Sequence, residues 1–313
     1  MRIALVSTFA AALPVLSSWV EVHRALGVER FYLFIDNPRE SAACEALALE
    51  GVRWIHRDEA LETEWQRSPS WDYQKAFRHQ VYSRQCLNTD YAIRLAREEG
   101  MDWLLHIDLD EKIHLPAPWQ SLNSYFESKA VFDVVRFTNH EGVPEQWHVG
   151  NYLEEVTLFK RSFTLLNAEQ QRIVRSLFGE RYFLAYHNGK AAMRLAGSAT
   201  LSSGVHEFQP ANLVHLEHAV CVLHYTNCGF NWFHSKFATL GDYDDYWLDL
   251  AEIGKLFPIM EAGRQAVVRG TIHQATQLYG EQLMQQGGLP HNQQALLQAG
   301  ILMRIGHAPP QLI

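Results

Sequence analysis

Strand-like apolar runs alternate with helical patterns in the N-terminal third of the chain. The runs lie at 3–6, 31–35 and 52–56. Apolar residues recur at helical spacing from 16 to 26, and the stretch 41–50 is rich in alanine and leucine. Strands that alternate with helices in this order predict a parallel sheet covered by helices.

A polar stretch and a long helical pattern lead into a fourth strand. Residues 57–72 predict a long surface loop. Residues 73–99 predict a helix with a candidate interruption at 88–90. The mainly apolar run 103–107 that follows is typical of a buried parallel strand.

The strand at 103–107 ends in three carboxylates, those of Asp108, Asp110 and Glu111. Open α/β sheets bind their ligands at the carboxyl ends of such strands. If the pleat continues, Asp108 and Asp110 point to the same side, and two like charges that close favour a cation between them. Mg²⁺ and Mn²⁺ prefer oxygen ligands of this kind. The simpler alternative is a solvated acidic turn.

The rest of the chain predicts fewer strands and ends in helices. Further strands are predicted at 131–137, 156–160 and 219–223. Residues 138–142 are expected to break the first of these strands, and helical patterns begin at residue 243. We therefore predict an α/β domain over residues 1–240 and a helical extension over 241–313 that packs on it.

Composition excludes some classes of function. The chain has 313 residues, 47% of them hydrophobic, and a net charge of −8 without a long basic run. This argues against nucleic-acid binding. The four cysteines lack metal-ligand spacing and predict free thiols in a reducing compartment, so we expect a cytoplasmic protein. No apolar stretch reaches the roughly 18 residues of a transmembrane segment, and peripheral contact with a membrane is left open.

Three stretches of the chain carry a pattern that is known from other proteins. They are the Trp-apolar-Asp-x-Asp-Glu signature at 103–111, Gln80 in the helix before it, and His224 with Lys236 a dozen residues later. Over roughly residues 1–240, the chain thereby resembles the GT-A fold glycosyltransferases, most closely the family 2-like and family 92-like group. The resemblance implies an α/β, GT-A (Rossmann-like) fold with a mostly parallel sheet flanked by helices and a C-terminal helical appendage.

The resemblance also implies a metal site that binds Mn²⁺ or Mg²⁺. Asp110 would be the direct ligand, and Asp108 would contact the donor sugar, the ribose, or the metal through water. The metal would bridge the donor diphosphate and neutralise the departing nucleotide. His224 would be a further metal ligand, with His206 as its rival, and a histidine ligand suits Mn²⁺ better than Mg²⁺.

Donor contacts follow from the same resemblance. Asp36, after the second strand, would contact the nucleotide base, or else only form a turn before Asn-Pro. Lys236 and Lys190 would hold diphosphate oxygens, or else be solvated. Ser7 and Thr8 stand where the group usually has Asn-Glu. The predicted nucleotide-sugar-binding residues are Ser7, Thr8, Asp36, Gln80, Asp108, Lys190 and Lys236.

An inverting enzyme also needs a base for the acceptor hydroxyl, whereas a retaining enzyme does not. Glu207 and Glu141 are candidates because each is expected in a loop after a strand. The predicted catalytic residues are Asp108, Asp110, Glu207 and Glu141. Aromatic platforms for acceptor sugars are expected among Trp65, Trp71, Trp147 and Trp232.

The leading hypothesis is a metal-dependent glycosyltransferase that moves a sugar from a nucleotide-sugar donor to a glycan, lipid-linked or protein acceptor, as in polysaccharide biosynthesis. One alternative is a sugar-nucleotide nucleotidyltransferase, but residues 7–13 lack the glycine and lysine of a phosphate loop. Another is a non-catalytic nucleotide- or carbohydrate-binding protein, against which the intact acidic pair counts.

Overall fold

The structure is a computed structural model of the chain. It describes residues 1–10, 13–75, 78, 80–179, 181–240, 258–285 and 289–306. The chain divides into two compact units. The first unit comprises Met1–Thr138 and Asn188–Val222, and the second comprises Asn139–His187 and the described residues from 223 onward. The predicted boundary at residue 240 borders a stretch outside the described residues and stays a prediction.

Four parallel strands form the centre of the first unit. They are β1 (Ile3–Phe9), β2 (Arg30–Ile35), β3 (Val52–His56) and β4 (Trp103–His106), in the spatial order β3-β2-β1-β4. Leu5 lies opposite both Phe31 and Leu105. Strands β1 and β4 are buried along their whole length, which explains their nearly continuous apolar sequences. All four strands predicted in this part of the chain are confirmed.

The sheet continues beyond β4 with antiparallel strands. Strand β8 (Lys190–Arg194) pairs with β4, so that Ala191 lies opposite His106. Strand β6 (Val134–Gly142) pairs with β8, so that Phe137 lies opposite Lys190. The other strands that involve this unit are β5 (Glu111–His114), β9 (Leu201–Ser202), β10 (Phe208–Gln209) and β11 (Val214–His224).

Helices lie between these strands along the chain and flank the sheet. They are α1 (Leu13–Ala25), α2 (Ser41–Glu45), α3 (Glu59–Trp65), α4 (Trp71–Gln74), α5 (Val81–Glu98) and α6 (Leu122–Ser128). Leu87 and Ile93 of α5 belong to the same core as Val6 and Phe34 of the sheet. The expected α/β, GT-A (Rossmann-like) fold class is confirmed.

Two local predictions for this unit are wrong. The expected surface loop at 57–72 contains α3, because Asp58 accepts the N–H of Leu61 at 2.9 Å and caps the helix. Trp65, at the end of α3, is buried, so it cannot be an acceptor platform. The expected interruption at 88–90 is also absent from α5, which is continuous.

The second unit contains antiparallel strands and a hydrophobic core of its own. Strand β7 (Leu158–Lys160) pairs with the end of β6 and with β12 (Leu302–Arg304). Its helices are α7 (Tyr152–Glu155), α8 (Ala168–Phe178), α9 (Phe230–Leu240), α10 (Pro258–Arg264), α11 (Ile272–Leu278) and α12 (Leu289–Gln298). Residues 138–142, expected to break a strand, continue β6 instead.

The C-terminal part of the second unit contains α10, α11 and α12, as the sequence predicts, but Leu302–Arg304 form strand β12 and do not extend the last helix. The helical pattern expected at 243–253 lies outside the described residues. Within the described part of the chain, every helix is too short or too polar to cross a bilayer.

Gly189, just before β8, provides a test of how closely β6 and β8 approach each other. Its φ of +72° is left-handed, and a Cβ at this position would lie 1.8 Å from the carbonyl oxygen of Phe137. Gly189→Ala should therefore lower the free energy of unfolding by roughly 3 kcal/mol or more, from strain and overlap together. Urea denaturation measures this loss.

Gly100→Ala is the matched control. Its φ of +68° is similar, but its Cβ would come no closer than 3.6 Å to another group, the Arg2 side chain. Strain alone should cost about 1–2 kcal/mol. Equal losses for the two variants would contradict the tight approach at Gly189.

Candidate functional site

The acidic signature forms a tight turn between β4 and β5. Asp108 donates its backbone N–H to Oε2 of Glu111 at 2.6 Å, and Glu111 returns its own N–H to the carbonyl oxygen of Asp108 at 3.1 Å. Strand β4 has already ended at His106. The pleat of a strand therefore does not set the directions of Asp108 and Asp110, contrary to the sequence-based argument.

Lys190 lies against this turn, because the antiparallel register places the start of β8 beside the end of β4. Its Nζ is 2.6 Å from Oδ2 of Asp108 and 3.7 Å from Oε2 of Glu111. It also donates to the carbonyl oxygen of Val205 at 3.3 Å. The Lys190 side chain is fully buried. The solvated alternative considered for this lysine is wrong.

Asp108 is held from a second direction by α5. Nε2 of Gln85 donates to Oδ1 of Asp108 at 3.0 Å, while Lys190 contacts Oδ2. Each oxygen of this carboxylate thus accepts a bond from a different element. Gln85 was not predicted from the sequence, because its partner lies 23 residues away and no local pattern joins them.

Burial and charge shift the pKa values around Lys190. Burial opposes the ammonium charge, but Asp108 and Glu111 outweigh it and hold the pKa of Lys190 above its ordinary value. Burial raises the pKa of Glu111 well above its usual range, against the opposite influence of Lys190. Burial also lowers the pKa of His106 well below normal, helped by the Lys190 charge.

His206 supports the segment that carries Lys190. Burial, with the nearby Lys190 charge, lowers the pKa of His206 to about 3, so the ring is neutral near pH 7. Its Nδ1 lies 2.7 Å from the carbonyl oxygen of Gly189. Since a carbonyl can only accept, the proton is on Nδ1. His206, which the sequence predicts as a metal ligand, thus contacts the residue next to the Lys190 cation.

The residues around Asp108 do not fit a divalent cation, because the Lys190 ammonium already lies against the carboxylate. Among the residues that the structure describes, no three or more His, Cys, Asp and Glu side chains come together as a metal site requires. The ligand roles predicted for Asp110, His206 and His224, and the requirement for Mn²⁺ or Mg²⁺, stay predictions.

A buried ion pair lies at the ends of β1 and β2. Nε and Nη2 of Arg84 bind Oδ1 and Oδ2 of Asp36 at 2.6 and 2.7 Å. Both side chains are almost wholly buried. Contact of Asp36 with a nucleotide base stays a prediction, but both of its oxygens already have a partner. Arg84 was missed, although a charged residue one helical turn from Leu87 signals a buried pair.

The remaining predicted nucleotide-sugar-binding residues of this unit are also buried. Oγ1 of Thr8 accepts from Nδ2 of Asn88 at 3.0 Å, and Asn88 accepts from the Trp65 indole at 2.8 Å. Ser7 is fully buried in β1, and Gln80 precedes α5 with extended backbone. Their predicted donor contacts stay predictions.

The two candidate bases have different surroundings. Glu207 is partly exposed and pairs with Arg136 in the first unit. Glu141 is buried in the second unit, where it lies 3.0 Å from Nζ of Lys160 and accepts the N–H groups of Leu184 and Ala185, each at 2.8 Å. Glu141 is thus committed to its own unit's structure. The base role of either residue stays a prediction.

The second unit also contains the other two predicted residues. His224 ends β11, and its ring stacks on Tyr186 with centroids 4.6 Å apart. Lys236 lies on α9. Their predicted contacts with metal and diphosphate stay predictions.

Known proteins are similar in sequence to about three quarters of this chain. The Glycosyltransferase-like At2g41451 of Arabidopsis thaliana is 31% identical over 261 residues, which cover 76% of this chain and 55% of that protein. Glycosyltransferase-like At3g57200 of the same plant is 31% identical over 252 residues, 72% of this chain and 47% of that protein. The chain belongs to this glycosyltransferase-like family. It spans about half the length of these glycosyltransferase-like relatives.

Two other comparisons add little to the family assignment. No protein-family model matches the glycosyltransferase-like chain. The crystal structure of a mycobacterial protein aligns with 87% of this chain and 76% of its own, at 12% identity and a TM-score of 0.37. That score is too low to support an argument.

The buried Asp36–Arg84 pair allows a stability prediction. Arg84→Met leaves the Asp36 carboxylate buried without its bidentate partner, so the free energy of unfolding should fall by about 3–5 kcal/mol. Urea denaturation at neutral pH measures the change. Arg67→Met, which removes an exposed partner of Glu64, is the control and should have little effect. A similar small loss in Arg84→Met would contradict the buried pairing.

Proposed function

We propose that this glycosyltransferase-like protein transfers a sugar from a nucleotide-sugar donor, which binds at the carboxyl ends of β1, β2 and β4. The observation that supports this site is the row of polar groups Thr8, Asp36 and Asp108 at those ends. Strand β1 lies between β2 and β4 and is parallel to both, so the carboxyl ends of the three strands share one edge of the sheet. Ligands of open α/β sheets bind at such an edge.

The reaction requires one bond to be exchanged for another. The bond between the anomeric carbon and the diphosphate oxygen breaks, and the acceptor hydroxyl oxygen bonds to that carbon. The nucleoside diphosphate leaves with the bonding electrons, so its negative charge must be stabilised. In an inverting enzyme the hydroxyl proton passes to a base. Glu207 suits this role better than Glu141, because Glu207 is partly exposed and Glu141 is buried.

The turn residues have distinct parts in this proposal. Asp108 is fixed by Lys190 and Gln85 and would orient the donor sugar or ribose. Asp110 is partly exposed; a contact of Asp110 with Mn²⁺ or Mg²⁺ is implied by the resemblance alone and is not part of this proposal. The acceptor is proposed to be a glycan, a lipid-linked sugar or a protein.

Ligand-induced thermal stabilisation tests the donor site. The chain is heated with UDP, GDP, CDP or TDP and with the matching nucleotide sugars, each with Mn²⁺, Mg²⁺ or EDTA. A ligand that binds only the folded state should raise Tm by about 5 °C near a hundredfold excess over Kd. Selective stabilisation by one nucleotide is expected, followed by release of that nucleoside diphosphate from its sugar donor.

Two variants sharpen this test. Asp108→Asn removes the fixed carboxylate and should weaken donor stabilisation. Glu59→Gln neutralises an exposed carboxylate in the first turn of α3 and should leave it unchanged. A chain that no nucleotide stabilises would contradict the proposed donor site. A chain that binds a nucleotide but never releases it from a sugar donor would be a non-catalytic binding protein.

A further inference from the structure

The acidic turn of the first unit contains its own cation. Among the described contacts of Lys190, oxygen atoms of three residues lie near Nζ, those of Asp108 at 2.6 Å, Val205 at 3.3 Å and Glu111 at 3.7 Å. An ammonium has three N–H donors. Two carboxylates and a backbone carbonyl are also the ligands that a hard divalent cation prefers. The ammonium thus occupies the kind of oxygen cage in which a metal ion would be expected.

We propose that Lys190 is the resident cation of the Asp108–Glu111 turn and takes the place of a divalent metal ion there. Its role toward the donor rests on the proposed function. An unpaired Asp108 would repel the donor diphosphate, and a bridging metal would be needed to overcome that repulsion. The Lys190 charge already compensates that of Asp108, so this carboxylate needs no bridging metal ion for the donor to bind. Lys190 is a positioning residue in this scheme.

Burial explains why a metal ion does not replace this lysine. The Lys190 side chain has no exposed surface. A divalent ion that bound Asp108 through Oδ2 would separate the ammonium from its closest partner and leave it buried without full compensation. Removing one partner of a buried pair is strongly unfavourable. The ion would also have to shed its own water before any of these contacts formed.

The fold restricts Lys190 to this position. The pairing of Phe137 with Lys190 and of His106 with Ala191 fixes the start of β8 between two strands. Gly189 precedes it in a left-handed conformation that leaves no room for a side chain. The carbonyl of Gly189 also accepts a bond from His206. These constraints hold the backbone of Lys190 beside the end of β4.

Direct measurement of Mn²⁺ binding tests the proposal without any activity assay. The EPR signal of free Mn²⁺ is followed as wild type, Lys190→Met and the control Lys75→Met are added. The Lys75 side chain is half exposed, so its charge is not buried. Wild type and Lys75→Met should leave the signal unchanged. Lys190→Met keeps a side chain of similar length but removes its charge, so this variant should bind Mn²⁺ through the released carboxylates.

Thermal stability gives a second readout of the same variants. About 1 mM Mn²⁺ should change the Tm of wild type by less than about 1 °C and raise that of folded Lys190→Met by about 5 °C. If Lys190→Met does not fold, the wild-type titration decides. Tight Mn²⁺ binding by wild type that is lost in Asp108→Asn would overturn the proposal, and so would a folded Lys190→Met that ignores Mn²⁺.

Nucleotide stabilisation in EDTA separates this proposal from the proposed function. Equal stabilisation by the preferred nucleoside diphosphate in EDTA and in Mn²⁺ supports both. Stabilisation that appears only with Mn²⁺ keeps the proposed function and overturns the role of Lys190. If no nucleotide stabilises the chain but only Lys190→Met binds Mn²⁺, the resident cation stands and the proposed donor site falls.

Discussion

A wholly buried ammonium must be surrounded by oxygen atoms, and the first unit is built to meet this requirement at Lys190. The lysine starts β8 and contacts Asp108 and Glu111, which are distant in sequence and follow β4. Gln85 adds a contact from α5 to the same carboxylate. One charge therefore links three separate elements of the unit, and a change in any of them alters the acidic turn.

The same rule governs two other buried ion pairs, one in each unit. In the first unit, Arg84 satisfies both oxygens of Asp36. In the second unit, Lys160 pairs with Glu141. Breaking such a pair costs much more stability than its net contribution suggests, since the remaining charge stays buried. Stability and function are therefore difficult to separate by simple charge removal, and matched control variants are needed.

Local sequence patterns predicted the four parallel strands because their apolar runs reflect burial on both faces. They did not predict features that depend on distant partners. Asn88 and Asp90 looked like an interruption of α5, yet Asn88 binds Trp65 and Asp90 binds Ser202. The pairing of Lys190 with Asp108 spans 82 residues and has no local signature. The sequence therefore predicted the acidic residues at the end of β4, but not the contacts that Lys190 and Gln85 make with Asp108.

The central claim is that a nucleotide sugar binds at the carboxyl ends of β1, β2 and β4, beside an acidic turn in which Lys190 already pairs with Asp108. The most direct measurement is a crystal structure of the chain with the nucleoside diphosphate and Mn²⁺, with anomalous data at the manganese edge. The account predicts nucleotide density at that edge, Lys190 still bound to Asp108, and no manganese peak on Asp108. A nucleotide bound elsewhere, or manganese in the place of the Lys190 ammonium, would contradict it.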